Sequence, residues 1–159
     1  MRALVQRVSS ASVDVHPAGL PHAGASERAG SIGPGLCVLV GVTHADGLAE
    51  AVQLAGKVWH LRVLPDDAGV MNRSLADRAA AGEPAEVLVV SQFTLYGDTR
   101  KGRRPSWVDA ARPEHAEPLI ERMVAELRAL GAFVATGRFR TDMAVSLVND
   151  GPVTLLLEV

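Results

Sequence analysis

The sequence predicts an α+β fold, with antiparallel or mixed β-sheets and two main helices packed on one side; three observations lead there. Its segments read in the order β-β-β-α-β-β-α-β-β-β, too poor in strand–helix–strand units for a wholly parallel sheet. The 159 residues are 48% hydrophobic and 21% charged, the composition of one compact globular unit. Neither an internal repeat nor a linker-like stretch divides the chain, so residues 1–159 are read as a single domain.

Taken in order, residues 2–8 and 11–15 alternate apolar and polar side chains around Ser9-Ser10, the pattern of a hairpin or two neighbouring half-buried strands. Across 16–30 the chain turns to Pro, Gly, Ala and Ser with no apolar period and reads as an extended surface loop. Gly33-Pro34-Gly35 is a turn, and 36–42 is apolar on both faces, as a central strand would be. Asp46 opens a helix whose core stripe is Leu48, Val52, Ala55 and Trp59. Residues 61–64 read as a strand closed by the turn sequence Pro65-Asp66-Asp67-Ala68-Gly69. A buried β-branched strand at 86–93 delivers Ser91-Gln92-Phe93-Thr94 at its end. The second helix covers 113–130, with Leu119, Ile120, Met123, Val124 and Leu127 on its inner face, Pro118 bending its first turns and Gly131 as its cap. Two last strands, about 143–148 and 153–158, flank Asn149-Asp150-Gly151-Pro152, which taken alone suits a β-turn.

Composition narrows the function. A net charge of −2 gives no general basic surface, so any polyanion must be met locally. Cys37, the single cysteine, sits inside an apolar run and is read as a small buried hydrophobe; with no disulfide possible, the chain suits a reducing cytoplasm. The alternating N-terminus is unlike a signal peptide and no stretch approaches a membrane span, so the expectation is a cytoplasmic protein with no membrane partner. The five histidines show no H-x-x-x-H or H-E-x-x-H pairing, and His60 reads as a helix-end residue, so no metal and no cofactor is expected. No G-x-S-x-G elbow surrounds a serine. Gly97 and Gly102 have the spacing that opens a phosphate loop, but Arg103-Arg104 stands where Lys-Ser/Thr is required.

Three segments remain. Arg100, Lys101, Arg103 and Arg104 form a basic loop, either solvated or in contact with another subunit, or else a phosphate grip for RNA. Trp107 beyond it either anchors packing or stacks a base. Ser91, Gln92 and Thr94 bring hydroxyl and amide groups into a buried strand where it leaves the sheet, and Asn149–Thr154 sets a Gly-Pro peptide between apolar strands.

Together, Ser91-Gln92-Phe93-Thr94-Leu95 and Asn149-Asp150-Gly151-Pro152-Val153-Thr154 resemble the signature of the D-aminoacyl-tRNA deacylase family, also called D-tyrosyl-tRNA deacylases. Further segments match in the same order: Met1 to Val13, Gly33-Pro34-Gly35-Leu36, Asp98 to Ser106, Thr136-Gly137-Arg138-Phe139 and Val145-Ser146-Leu147-Val148. The resemblance implies a barrel-like α+β domain that forms a homodimer and hydrolyses the ester at the 3′ end of D-aminoacyl-tRNA. It places Ser91, Gln92, Phe93 and Thr94 at the catalytic centre, Gly151, Pro152, Asn149, Arg7 and Met143 in the substrate-binding set, and Arg100, Lys101, Arg103 and Arg104 against tRNA.

It also implies that the Gly151-Pro152 peptide is cis and reaches the partner subunit's site, an isomer that proline makes accessible for about 0.5–1 kcal/mol. Carbonyls turned to one side would receive the α-ammonium, and an L-side chain would run into main chain, so selection is by exclusion. Glycine has no side chain to exclude, so glycyl-tRNA mischarged on tRNA-Ala is an expected substrate. Thr94 has no neighbouring base in the sequence, so it is expected to position and not attack, with main-chain N–H groups near Phe93 and Thr94 holding the oxyanion and the tRNA 2′-hydroxyl helping to activate water. Arg7 either braces the Gly-Pro segment or forms a surface ion pair. The chain departs from the family where Arg140-Thr141 replaces a common Gly-Ala, which sets a long cation beside the pocket. The alternatives are a sister editing deacylase with a trans Gly-Pro that accepts some L-aminoacyl groups, and a non-catalytic RNA-binding dimer.

Overall fold

The computed structural model describes residues 1–16, 26–100 and 102–159. In chain order the elements are β1 (Arg2–Val15), β2 (Glu27–Ile32), β3 (Gly35–Gly41), α1 (Leu48–Trp59), β4 (Leu64–Pro65), β5 (Met71–Arg73), α2 (Leu75–Ala80), β6 (Glu86–Ser91), a 3-10 turn (Phe93–Tyr96), α3 (Pro113–Leu130), β7 (Phe133–Thr136) and β8 (Met143–Glu158).

One mixed sheet organises the chain. Its path is β2-β1-β3-β6-β7, and β8 pairs with β1. Contacts of β1 with β2, β3 and β8 are antiparallel, whereas β3–β6 and β6–β7 are parallel. Gly30 of β2 abuts β7 so tightly that a Cβ there would lie 2.8 Å from the Thr136 carbonyl oxygen, which brings the sheet close to a closed barrel.

β3 and β6 are apolar on both faces because both faces are covered. Leu36, Val38, Val40, Val87 and Val89 join α1 and α3 in the larger core, while Cys37, Leu88 and Val90 join Val8, Ala11, Val13 and Ile32 in the second. Gly35 permits the β3–β6 approach: a Cβ there would stand 2.2 Å from the Glu86 carbonyl oxygen. On α3 the buried face is Ala116, Leu119, Met123, Val124 and Leu127, as the periodicity predicts with Ile120 at its margin. Pro113 occupies the first turn, where its missing N–H costs nothing, and Gly131 ends the helix at φ 111°, a left-handed conformation natural to glycine.

Five expectations are corrected. First, the first strand does not break at Ser9-Ser10. β1 is continuous, and the irregularity is absorbed by register shifts against β8 between Gln6 and Val8 and between Val8 and Ser10. Second, β8 is likewise one strand: Asn149–Pro152 bulges beside that point of β1 without reversing the chain. Third, the loop expected across 16–30 gives way to β2 at Glu27. That strand faces solvent along much of its length and so lacks an apolar period, while residues 17–25 lie outside the described residues. Fourth, of the stripe expected on α1, Ala55 and Trp59 are buried together with Ala51, Leu54 and Val58, but Leu48 is 62% exposed and Val52 only half-buried. Fifth, the strand expected at 61–64 shrinks to β4, paired with the unforeseen β5. The short α2 was also not foreseen, although Ser74 and Asp77 exchange the reciprocal hydrogen bonds of a capping box and announce it.

Candidate active site

β6 enters the site from the middle of the sheet. Its pairing with β3 continues one residue past the strand through Gln92 N–H to the Val40 carbonyl (2.7 Å), and the chain then tightens into the Phe93–Tyr96 turn, two residues short of the expected strand end. The carbonyl of Gln92 accepts from Leu95 N–H (3.2 Å), and among the described residues the amides of Phe93 and Thr94 find no acceptor. Phe93 is 56% exposed and meets Trp107 edge to face, ring centroids 5.3 Å apart. Trp107 is thus a packing partner that keeps an exposed face. Its segment is tied to the end of β3: Thr43 Oγ1 donates to the Asp109 carbonyl (2.6 Å), and Ala111 N–H donates to that of Val42 (2.9 Å).

These residues line a cleft of about 760 Å³. Ser91, Gln92 and Phe93 form one wall, and Val40, Val42, Ala110, Ala111 and the start of α3 form the apolar floor. The turn Phe139–Met143 and His16 complete the lining. That turn is fixed at three points: Gly137 N–H donates to the Val89 carbonyl (3.2 Å), Thr141 Oγ1 to the Arg138 carbonyl (2.8 Å) and His16 N–H to the Asp142 carbonyl (3.0 Å).

Of the catalytic set, Ser91, Gln92 and Phe93 line the cleft, as does Met143 of the substrate-binding set. Thr94 is exposed, and its hydroxyl accepts a short hydrogen bond from the Gln92 side-chain amide. An amide in either orientation is no proton acceptor of useful strength, so this partner does not activate Thr94 as a nucleophile.

Asn149, Gly151, Pro152 and Arg7 are not among the residues lining the chain's own cleft. The Gly151–Pro152 peptide is cis, and Asn149 through Pro152 are exposed. Arg7 ties this segment down: Nε donates to the Asp150 carbonyl (2.9 Å) and pairs with its carboxylate (2.9 Å), and Nη1 donates to the Val63 carbonyl (2.7 Å). Asn149 Nδ2 adds bonds to the carbonyls of Arg7 and Val153, each 3.0 Å.

The basic loop is closed by a two-way main-chain bridge between Asp98 and Ser106, both bonds 2.8 Å. Arg100 turns back on Asp98 through its side chain and its own amide, which pulls the Asp98 carboxyl down to about 2. Its charge is therefore partly neutralised in place. Arg103 and Arg104 are exposed with no acidic partner among the described residues, and Lys101 lies outside the described residues. Tyr96, the last residue of the turn, is half-buried, and desolvation pushes its hydroxyl up to about 12; the Arg2 guanidinium stacks 4.5 Å from its ring centre.

Among the described residues no three of His, Cys, Asp and Glu gather to hold a metal ion, and burial raises the Cys37 thiol to about 11. Among the described residues no helix is long and apolar enough to cross a membrane. His16, Trp107 and the Ala110–Ala116 floor were not assigned to the site from sequence, because their chain positions are distant and each is ordinary in isolation.

A mixed, nearly closed sheet with helices α1 and α3 against it, opening at a strand end into a cleft lined by apolar, hydroxyl and amide side chains with Arg140, Asp142 and His16, defines the class: a small α+β protein with a ligand-sized cleft at the end of its central strands. The family model for D-Tyr-tRNA(Tyr) deacylase matches residues 4–158. A Streptomyces coelicolor protein named D-aminoacyl-tRNA deacylase is 53% identical over 160 residues, covering 100% of both chains. A Heliobacterium modesticaldum protein of the same name is 52% identical, covering 99% of this chain and 96% of its own. Among solved structures, one titled c-Myc DNA Unwinding Element Binding Protein superposes with a TM-score of 0.86 at 35% identity, covering 100% of this chain and 99% of its own. The chain belongs to the D-Tyr-tRNA(Tyr) deacylase family.

Proposed function

We propose that the protein hydrolyses the ester bond of D-aminoacyl-tRNA, releasing free amino acid and tRNA, and that it rejects L-aminoacyl groups. The observation that carries this reading is the end of β6, whose Ser91, Gln92 and Phe93 line a cleft large enough for an aminoacyl-adenosine in a chain the family model matches over residues 4–158. The ester is intrinsically reactive, and the ribose supplies a neighbouring hydroxyl. The chain then needs to position the carbonyl and receive developing negative charge, for which the free amides of Phe93 and Thr94 are suited. Water activated with help from the tRNA 2′-hydroxyl attacks the carbonyl carbon, and the ester C–O bond breaks to return the 3′-hydroxyl.

Chirality is assigned to Gly151 and Pro152 of a second copy. The segment is exposed, held by Arg7, and lies outside its own chain's cleft. A homodimer is supported by exposed apolar side chains near these elements: Val148 is 59%, Leu156 54% and Phe93 56% exposed. In this reading Asn149 orients the segment, glycyl-tRNA escapes exclusion because it lacks a side chain, and the enzyme works in the cytoplasm. Arg103 and Arg104, with Lys101 and the self-paired Arg100, face the tRNA backbone. Release of D-Tyr from D-Tyr-tRNA by purified protein, with a dimer in sedimentation equilibrium, is the expected outcome; a stable monomer at working concentration would remove the chirality gate. A chain that binds D-aminoacyl-tRNA without hydrolysing it would instead favour a nucleic-acid-binding role, the kind named for the 35%-identical c-Myc DNA Unwinding Element Binding Protein.

A further inference from the structure

Arg140 has a backbone angle of φ 58°, unlike any other non-glycine residue among those described. The left-handed conformation crowds the Cβ of an L-residue, a cost that glycine avoids. Such strain is retained chiefly where the surroundings fix it and a function uses it. The surroundings do fix it, since Arg140 sits within a turn pinned by Gly137, Thr141 and Asp142. Its side chain lines the same cleft as Ser91–Phe93 and is exposed.

Its charge is also available. Arg138 pairs with Glu27 (3.1 Å) and Arg100 with Asp98 (2.8 Å), but Arg140 has no hydrogen bond or ion pair with any described residue, Asp142 on the same turn included. An exposed fork of planar N–H donors lining a cleft whose other charged or titratable lining groups are Asp142 and His16 is suited to an anion arriving with the substrate. Every aminoacyl-tRNA brings one there, the phosphodiester that joins its terminal adenosine to the rest of the acceptor strand, whereas an acidic amino-acid side chain is present only on some.

We infer that Arg140 is a positioning residue that grips the 3′-terminal phosphodiester of the substrate as its adenosine enters the cleft. The inference rests on the deacylase reading above. It is tested by steady-state kinetics of Arg140→Gly, Arg140→Ala and Arg140→Lys on D-Tyr-tRNA and on the phosphate-free ester D-tyrosyl-adenosine. With D-Tyr-tRNA the Gly and Ala variants are expected to raise KM about tenfold at nearly unchanged kcat, and to lower the log–log salt slope of KM by about 0.7, the value for one phosphate on a single strand. Lysine restores part of the loss, and D-tyrosyl-adenosine is hydrolysed equally by all four proteins. Arg140→Gly also relieves the left-handed strain, so its thermal stability equals or exceeds the parent's and misfolding does not explain its weaker binding. Unchanged KM and salt slope with D-Tyr-tRNA would overturn the inference. So would an equal loss on D-tyrosyl-adenosine, which would place the effect of Arg140 on the aminoacyl-adenosine itself and not on the phosphodiester. A parent protein inactive on both substrates would instead sink the deacylase reading, and this inference with it.

Discussion

Replacing Arg7 with alanine cuts the tie between the body of the domain and the Asn149–Pro152 segment. The Arg7 side chain is 12% exposed and its ion-pair partner Asp150 is 52% exposed, so water screens the charge pair, which contributes about 0.5 kcal/mol. The Asp150 carbonyl is open to solvent and finds a water when the guanidinium leaves. The Val63 carbonyl is partly buried, and losing a charged donor there costs about 1.5 kcal/mol or more. Arg7→Ala should therefore lose about 2 kcal/mol, or about 4–8 °C in Tm for a domain of this size. Asp150→Asn removes only the screened pair and should lose about 0.5 kcal/mol or less. Arg7→Lys falls between, because an ammonium cannot serve both carbonyls and the carboxylate in one fixed geometry. Thermal melts of the three variants give the stability arm. For function, deacylation of D-Tyr-tRNA should persist in Arg7→Ala while hydrolysis of L-Tyr-tRNA rises, since the segment is released without touching Ser91–Thr94. A Tm for Arg7→Ala within about 1 °C of the parent, or an Asp150→Asn loss as large as that of Arg7→Ala, would refute the assignment of the brace to the main-chain bonds.

Thr94→Ala should keep kcat for D-Tyr-tRNA within about threefold, because its hydroxyl is bonded to an amide and not to a base; loss of about a thousandfold or more would make Thr94 the nucleophile. Gly35→Ala forces a Cβ to within 2.2 Å of the Glu86 carbonyl oxygen and should lose about 3 kcal/mol in urea unfolding. As a paired control, Gly56→Ala on α1, where nothing lies within 4 Å, should gain about 0.5–1 kcal/mol. The Asp98 carboxyl should titrate at about 2 by NMR and return towards the ordinary carboxylate range in Arg100→Ala. Because the carboxyl is depressed in the folded state, the stabilisation from the pairing is fully present above the ordinary aspartate range and is lost as pH falls through about 2.

Elements with their own periodicity were legible in the sequence. The 113–130 helix, its Gly131 cap, the two-faced strand β3 and the strand carrying Ser91 all declare themselves through spacing or β-branched runs. What misled was polar interruption. Ser9-Ser10 and Asn149–Pro152 carry the residues of turns, yet they are matching irregularities in two long strands that pair along their length, and no local signal reports on a partner more than a hundred residues away. β2 was hidden because an exposed edge needs no apolar alternation, and Leu48 misled because the first turn of α1 stands in solvent while Ala55 and Trp59 of the same stripe are buried. At the site, the Ser91–Phe93 wall and Met143 followed from the resemblance, whereas the floor from Ala110 to Ala116 comes from small apolar residues that could belong to any helix start.

The most direct measurement compares the deacylation rates of D-Tyr-tRNA, L-Tyr-tRNA and glycyl-tRNA on one preparation of the protein. Hydrolysis of the D-aminoacyl and glycyl substrates with L-Tyr-tRNA left near its spontaneous rate is the expected result. Turnover of L-Tyr-tRNA as fast as D-Tyr-tRNA would contradict selection by exclusion.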